Sequence, residues 1–262
     1  MYDQIIPVIL TLNEQSNLPR VLSKLEWARS VVVLDSHSDD KTEQIAKSFS
    51  NVAFYQRSFD CSANQWNAGI ELVARTSDWV LALDADYLLS NELVNELGEL
   101  KPSEDVAGYV AHFVYCIDGI PLKASLYPPH TVLFRAKLGQ YVQDGHTQRL
   151  IVNDSIRSLS HPIYHDDRKS WGRWYHSQLN YAALEAEKIS RSPWSALSIS
   201  GKLRRIPLLS IILSPVHLLC FKGLWRDGVQ GLKYVWQRFL AEWLIQKALL
   251  FRSFGCLSGE SG

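Results

Sequence analysis

The sequence predicts an α/β protein built on a doubly wound, mostly parallel sheet, and three observations predict it. Short apolar runs rich in β-branched residues recur through the first hundred residues. Helical stretches with one apolar face separate them. Three of the runs end in polar clusters, at Asn13-Glu14, Asp35 and Asp84-Ala85-Asp86. Continuous apolar runs of this length are the signature of strands buried on both faces. In such sheets ligands bind beyond the carboxyl ends of the strands.

The strands are expected at residues 5–10, 31–34, 52–55 and 79–83. Residues 17–28 place Leu18, Val21, Leu22 and Leu25 on one helical face. The next helix is expected to start near Ser38 to Asp40, where acidic residues favour an N-terminus. Ser62-Ala63-Asn64-Gln65 matches a capping box, ahead of a stripe of Trp66, Ile70, Val73 and Ala74. Ser90 can cap a fourth helix. After residue 105 strands are expected at 108–115, 131–135 and 148–152, and a helix at 171–190. The expected division is a catalytic α/β domain over residues 1–200 and a helical, basic and apolar extension over 201–262.

Composition bounds the possibilities. A chain of 262 residues with 47% hydrophobic residues can bury a sizeable core. Its formal net charge of zero hides an asymmetry. Residues 201–252 carry nine Lys or Arg against Asp227 and Glu242 alone. A basic, apolar tail on an acidic body calls for an anionic partner surface. Apolar runs interleaved with the basic residues favour a membrane surface over nucleic acid, and no nucleic-acid partner is expected. None of the four cysteines forms a C-x-x-C pair, so a zinc or redox site has no support. Met1-Tyr2-Asp3-Gln4 lacks a basic leader segment, so the expected location is the cytoplasmic side of the inner or plasma membrane, peripheral or monotopic, not secreted.

Asp84-x-Asp86 is the sharpest local signal. Residues i and i+2 of an extended chain point the same way, so two carboxylates leaving a strand together can share a hard divalent cation. Mg²⁺ or Mn²⁺ is typically held by one or two carboxylates and substrate phosphates. Asp35 is read as ligand-facing, able to accept a hydrogen bond from a nucleobase. Asp39 or Asp40 is read as a cap for the following helix. Asn13-Glu14 gains its significance from sharing the rim with Asp35 and Asp84.

Thr11-Leu12-Asn13-Glu14, the stretch from Val33 to Thr42, and Trp79 to Asp86 together resemble the ordered motifs of family 2 inverting glycosyltransferases. The stretch from Val142 to Leu150 resembles the equivalent stretch of bacterial lipopolysaccharide-core and cell-surface polysaccharide transferases. The resemblance implies the GT-A fold, a nucleotide-sugar donor and Mg²⁺ or Mn²⁺. It implies donor contacts at Leu12, Asn13, Glu14, Asp35, Ser36, Asn67, Asp84, Ala85 and Asp86, with Asp84 and Asp86 on the metal. It places the catalytic base in the stretch from Val142 to Leu150. Some of the similar transferases have His-Glu where this chain has His146-Thr147, which leaves Asp144 as first candidate and His146 as second. A late His often completes the metal shell, here His165. Arg168 and Arg173 are candidates for a diphosphate or an acceptor phosphate, because guanidinium suits phosphate.

The acceptor is expected to be a glycan or lipid-linked. The Gln-x-x-Arg-Trp motif of processive synthases is absent, since Gln178 is followed by Leu179-Asn180-Tyr181-Ala182, which implies addition of one sugar. Rival readings are a polyprenyl-phosphate glycosyltransferase, a nucleotidyltransferase and a non-catalytic sugar-nucleotide-binding module. The first strand is not followed by the Gly-rich loop of nucleotidyltransferases, and the intact Asp84 and Asp86 speak against a non-catalytic module. Residues 206–221 are apolar but interrupted by Pro207, Pro215 and His217. A spanning helix needs about 20 apolar residues, so an interfacial segment is expected. Residues 229–250 carry Leu232, Val235, Trp236, Phe239, Leu240 and Trp243 at helical spacing, with Gln246 off that stripe. Residues 201–252 are therefore expected to meet an anionic membrane surface.

Overall fold

A computed structural model describes residues 1–144 and 147–257. The chain divides into two compact units: residues 1–121 with 126–169, and residues 122–125 with 170–262.

The first unit begins as expected: β1 (Ile5–Thr11), α1 (Leu18–Ser23), β2 (Val31–Asp35), α2 (Thr42–Lys47), β3 (Val52–Gln56), α3 (Ser62–Ala74) and β4 (Trp79–Asp84). It continues with β5 (Tyr87–Leu89), α4 (Asn91–Glu99), β6 (Val106–Ala111), β7 (Phe113–Ile117), β8 (Ile120–Pro121) and β9 (His130–Arg135). The last strands are β10 (Gly139–Asp144), β11 (Thr147–Val152), β12 (Ser155–Ser158) and β13 (Ile163–His165).

Seven strands form the main sheet in the order β12-β6-β9-β4-β1-β2-β3. The β3-β2-β1-β4 half is parallel, and β9 runs antiparallel to both β4 and β6. Five of the six residues of β4 and all of β2 are buried, which is why their apolar runs do not alternate. Pro7 is tolerated in a central strand because β1 pairs with β2 only from Val8 onward. One face of the sheet packs Leu18, Val21, Leu22 and Leu25 with Leu93 and Leu97. The other packs α3 through Trp66, Ile70 and Val73. There Gly69 lets α3 approach closely, since a Cβ on it would stand 2.7 Å from Val8 Cγ1.

Several local expectations need correction. The helix at 17–28 keeps its register but ends at Ser23, and turns carry the chain on to β2. The second helix starts at Thr42 because Asp40 accepts from both the Thr42 N–H and its hydroxyl. Ser62 is already helical; Cys61 is the N-cap, and Gln65 turns away to Ser36 and Arg57, so no capping box forms. Ser90 does cap α4, accepting from Leu93 N at 3.0 Å. The expected strand at 108–115 is broken at His112, where the chain leaves the main sheet (β6) for a four-stranded one (β7) ordered β5-β13-β7-β8. β10 and β11 form a separate antiparallel hairpin.

The second unit comprises α5 (Trp171–Arg191), α6 (Ile199–Arg205), α7 (Leu209–Val216) and α8 (Gly228–Leu257). Its boundary thus falls at residue 170, where a boundary at 200 was expected. The reason is packing: Ala182 and Ile189 of α5 share a core with Leu197 and with Leu244 and Ile245 of α8. The stripe expected on α8 is divided. Val235 is buried, while Leu232, Trp236 and Trp243 are exposed. Gln246, expected off the stripe, is buried and holds Arg204 O, Leu208 N and the Ser210 hydroxyl. Arg204 is half-buried and pairs with Glu242 at 2.6 Å and Glu185 at 2.9 Å. Among the described residues no helix is long and apolar enough to cross a membrane.

Candidate active site at the strand ends

The parallel ladder β2-β1-β4 delivers Asp35, Thr11 and Asp84 to one edge, with Thr11 opposite Asp35 and Leu10 opposite Asp84. The loops after β1 and β2 are then zipped together. Asn13, at φ 59°, sends its N–H to Ser38 Oγ at 2.7 Å and receives Asp39 N at 2.8 Å. Glu14 N donates to Thr42 Oγ1 at 2.7 Å.

Asp35 departs from the expected ligand-facing carboxylate. It is fully buried, with Oδ1 accepting from the Thr11 and Ser38 hydroxyls and Oδ2 from Ser38 N. It organises the rim from beneath, leaving Leu12 about half exposed above it. Asn67 likewise has its amide taken. It donates to Tyr141 O and accepts from Tyr141 N, both at 2.9 Å, bracing the β10–β11 hairpin on α3. Ser36 accepts from Gln65 Nε2 at 3.1 Å.

Asp84-Ala85-Asp86 occupies the passage from β4 of the main sheet into β5 of the smaller one. There β13 pairs with β5 so that His165 stands opposite Tyr87. His165 Nε2 lies 3.3 Å from Asp86 Oδ2. Tyr87, Tyr115 and Tyr127 surround the imidazole edge-on, at centroid distances of 5.3, 4.7 and 4.6 Å. The Tyr87 hydroxyl meets the Tyr127 hydroxyl and the Asp84 carboxylate.

Burial pushes the Asp84 carboxyl up to about 6, and the neighbouring Asp86 charge adds to that. Burial acts on Asp86 too, but His165 and Lys169 outweigh it and hold Asp86 below the usual carboxylate range. His165 is raised: burial opposes its charge, and Asp86 more than compensates.

The segment after His165 is stapled to α1. Asn17 Nδ2 bridges Glu14 at 3.0 Å and Asp167 at 2.8 Å, and Asn17 Oδ1 accepts from Arg168 N and Arg20. Asp166 takes Arg20 at 2.6 Å and Arg168 Nε at 2.8 Å. Lys169 Nζ lies 2.7 Å from Glu14 Oε1. Burial pushes the Glu14 carboxyl up to about 7 despite that bond.

These contacts qualify the expectations. The Arg168 guanidinium is turned to Asp166, which accounts for its position without a phosphate. Arg173 lies in the helical unit, in the first turn of α5. Asp144 is exposed at the end of β10, and His146 lies outside the described residues. Asn17, Lys169 and the three tyrosines had no expected role. Their participation depends on pairings such as Asn17 with Asp167, 150 positions apart, which no local spacing reveals.

A divalent cation fits part of this arrangement. Asp86 Oδ1 and His165 Nδ1 are buried without a hydrogen-bond partner. An unpaired buried carboxylate oxygen beside a second carboxylate is a costly arrangement that a cation would relieve. Among the described residues, however, no three His, Cys, Asp or Glu side chains form a ready-made metal shell. The remaining ligands would have to arrive with the substrate, as is usual for Mg²⁺.

The model of the family described as "Glycosyl transferase family 2" matches residues 8–158, more than half of the chain. The chain belongs to glycosyl transferase family 2. This family 2 glycosyltransferase is 25% identical over 241 residues to the lipopolysaccharide core biosynthesis glycosyltransferase LpsC of Rhizobium meliloti (strain 1021), covering 85% of this chain and 83% of LpsC. It is 31% identical over 105 residues to an uncharacterized glycosyltransferase of Rickettsia bellii (strain RML369-C), covering 40% of this chain and only 35% of that protein. Among solved structures, S. aureus TarS 1-349 aligns over 96% of this chain and 92% of its own, at 14% identity and a TM-score of 0.42. The mostly parallel central sheet and the helical C-terminal region are those expected of this family 2 glycosyltransferase.

Proposed function

We propose that this family 2 glycosyltransferase moves one sugar, with inversion, from a nucleotide-sugar donor to a glycan or lipid-linked acceptor in lipopolysaccharide or cell-surface polysaccharide biosynthesis. The observation that carries the reading is the Asp84/Asp86 pair at the junction of the two sheets, with Asp86 Oδ1 buried and unpaired at the strand-end rim. The likeness to LpsC over most of both chains supports the substrate class.

In this reading Asp84, Asp86 and His165 would hold Mg²⁺ or Mn²⁺, which would supply positive charge to offset that of a diphosphate leaving group. Leu12, Asn13, Glu14 and Ser36 form the rim against which the nucleoside lies, and Asp35 fixes that rim. The acceptor oxygen attacks the anomeric carbon as the bond to the diphosphate breaks. Asp144 takes the hydroxyl proton, and the nucleoside diphosphate leaves. Asp144 suits the task by its exposed position on a hairpin that Asn67 and the stacked Trp66–Tyr141 pair anchor to α3.

The helical unit is proposed to rest on an anionic membrane surface on the cytoplasmic side, peripherally. Its exposed Leu208, Ile212, Phe221, Trp225 and Trp236 share the segment from 208 to 236 with Lys222, Arg226 and Lys233.

A donor screen tests the enzymatic reading. Thermal shifts with a panel of sugar nucleotides, with and without Mn²⁺, are expected to single out one nucleotide series in the presence of metal. Sugar release or transfer from that donor then follows. No shift with any sugar nucleotide would sink the proposal.

A further inference from the structure

The segment His165–Lys169 contains three cations or potential cations, His165, Arg168 and Lys169, with Arg20 of α1 nearby, and their engagement differs. Arg20 and Arg168 both close on Asp166, and Arg20 has further bonds to Asn17 Oδ1 and Asp166 O. Lys169 is less committed. Its ammonium meets Glu14 Oε1 at 2.7 Å, whereas Asp167 Oδ1 at 3.8 Å is beyond hydrogen-bond length. An ammonium carries three donors, so donor capacity remains.

The surroundings of that ammonium are strongly acidic. Glu14, Asp86 and Asp167 all act on it and raise its proton affinity against the effect of burial. It in turn acts on Asp84 and Asp86. A diphosphate brought beside these carboxylates meets repulsion that a single divalent cation offsets only in part. A second, protein-borne positive charge at the same place is the obvious complement.

We propose that Lys169 is a phosphate ligand of this site: its ammonium rests on Glu14 in the free protein and turns to an oxygen of the bound diphosphate. The inference rests on the diphosphate reading of the Asp84/Asp86 site. Three features equip Lys169 for the exchange. Its backbone is fixed, since Lys169 N donates to Asp167 Oδ1 at 3.0 Å and Arg168 N to Asn17 Oδ1 at 2.8 Å. Its four-carbon stem can pivot from that fixed base. Glu14 is not abandoned when the ammonium leaves, because Asn17 Nδ2 still holds its Oε2 at 3.0 Å. The Lys169 side chain is 20% exposed, so the pair is not fully enclosed against an incoming anion.

The test uses inorganic pyrophosphate, which makes no demand on nucleobase or sugar. Calorimetry follows Mn²⁺ alone, then pyrophosphate in the presence of Mn²⁺, for the full-length protein and for Lys169→Met and Lys169→Arg. Lys169→Met is expected to bind Mn²⁺ at least as tightly as the parent, because a positive charge beside Asp86 is gone. It should bind pyrophosphate at least about fivefold more weakly, the loss of one charge-assisted hydrogen bond, and Lys169→Arg should recover part of that. A smaller loss in Lys169→Met, or Mn²⁺ and pyrophosphate affinities falling together, would overturn the role of Lys169 alone. Failure of the parent protein to bind pyrophosphate with Mn²⁺ would remove the diphosphate reading beneath it.

Discussion

His165 Nε2 and Asp86 Oδ2 lie 3.3 Å apart, yet each side chain keeps its other polar atom, Nδ1 and Oδ1, buried and unpaired. Such atoms cost the fold stability unless a ligand meets them. The pair therefore reads as a half-built site whose completion is external.

Asp86→Asn should reduce transfer by about 10²–10³-fold, comparable to removing one preorganised electrostatic contact at a reacting centre. The melting temperature should fall modestly, because His165 and Lys169 stabilise the Asp86 charge in the folded state and the substitution removes it from between them. Turnover with the identified donor and thermal melting check both halves. Near-normal turnover at saturating metal would remove Asp86 from the machinery.

Donor binding should require divalent metal. Asp84 and Asp86 would repel a bare diphosphate, as the Asp86 charge already makes the Asp84 carboxyl harder to ionise. Calorimetric titration of the donor after chelator treatment should show affinity lost and then restored by Mn²⁺. Equal affinity in both conditions would contradict the assignment.

Glu14 sets a pH dependence of stability. Its folded value of about 7 stands above the ordinary 4.5, so between these values the folded state binds more protons than the unfolded. Stability contributed by the protonated form is complete below about pH 4.5 and is lost as pH rises through 7, by about 3 kcal/mol in all. Glu14→Gln should flatten this slope. Melting temperatures of both proteins from pH 5 to 8 would show it, and parallel curves would refute it.

The parallel half of the sheet was legible because strands buried on both faces leave unbroken apolar runs, as in Val31–Asp35 and Trp79–Asp84. The strand-end position of Asp84-x-Asp86 was legible because it follows directly on the apolar run from Trp79 to Leu83. Asp35 was misread: a polar residue at a strand end looks the same in sequence whether it faces a ligand or, as here, Thr11 and Ser38. Lys169 was opaque because its partner Glu14 is far away in sequence. The stripe on α8 was visible, but not its division. Both the face toward α5 and the exposed face are apolar, and only packing separates Val235 from Trp236.

Arg204 should be a keystone of the helical unit. It lies between Glu242 and Glu185, all three mostly buried. Arg204→Met would take from the buried Glu242 its short ion pair, leaving Arg238 at 3.9 Å, and should cost about 3 kcal/mol. Urea unfolding followed by tryptophan fluorescence, to which six of the nine tryptophans contribute from the helical unit, should show an early transition in the variant. An unchanged profile would mean that solvent already screens the cluster.

Membrane attachment should depend on exposed aromatic residues and on charge together. Truncation at residue 200 is a poor test, because α5 belongs to the same unit as α6 to α8 and would lose its core partners Leu244 and Ile245. Substitution of exposed side chains is cleaner. Phe221, Trp225 and Trp236 are 80%, 62% and 56% exposed, so changing them to Ser should leave the unit folded. Each Lys or Arg near an anionic surface contributes about 1 kcal/mol, and buried aromatic area adds to it. Raised salt should therefore weaken binding without abolishing it, since screening acts on charge and not on apolar burial. Flotation with anionic and neutral liposomes decides the matter. The parent protein should float with anionic vesicles, and the triple Phe221→Ser, Trp225→Ser, Trp236→Ser variant should float much less at high salt. Equal flotation of the two would show that these side chains do not enter the bilayer. No flotation of the parent would leave the exposed faces of α7 and α8 to a protein partner.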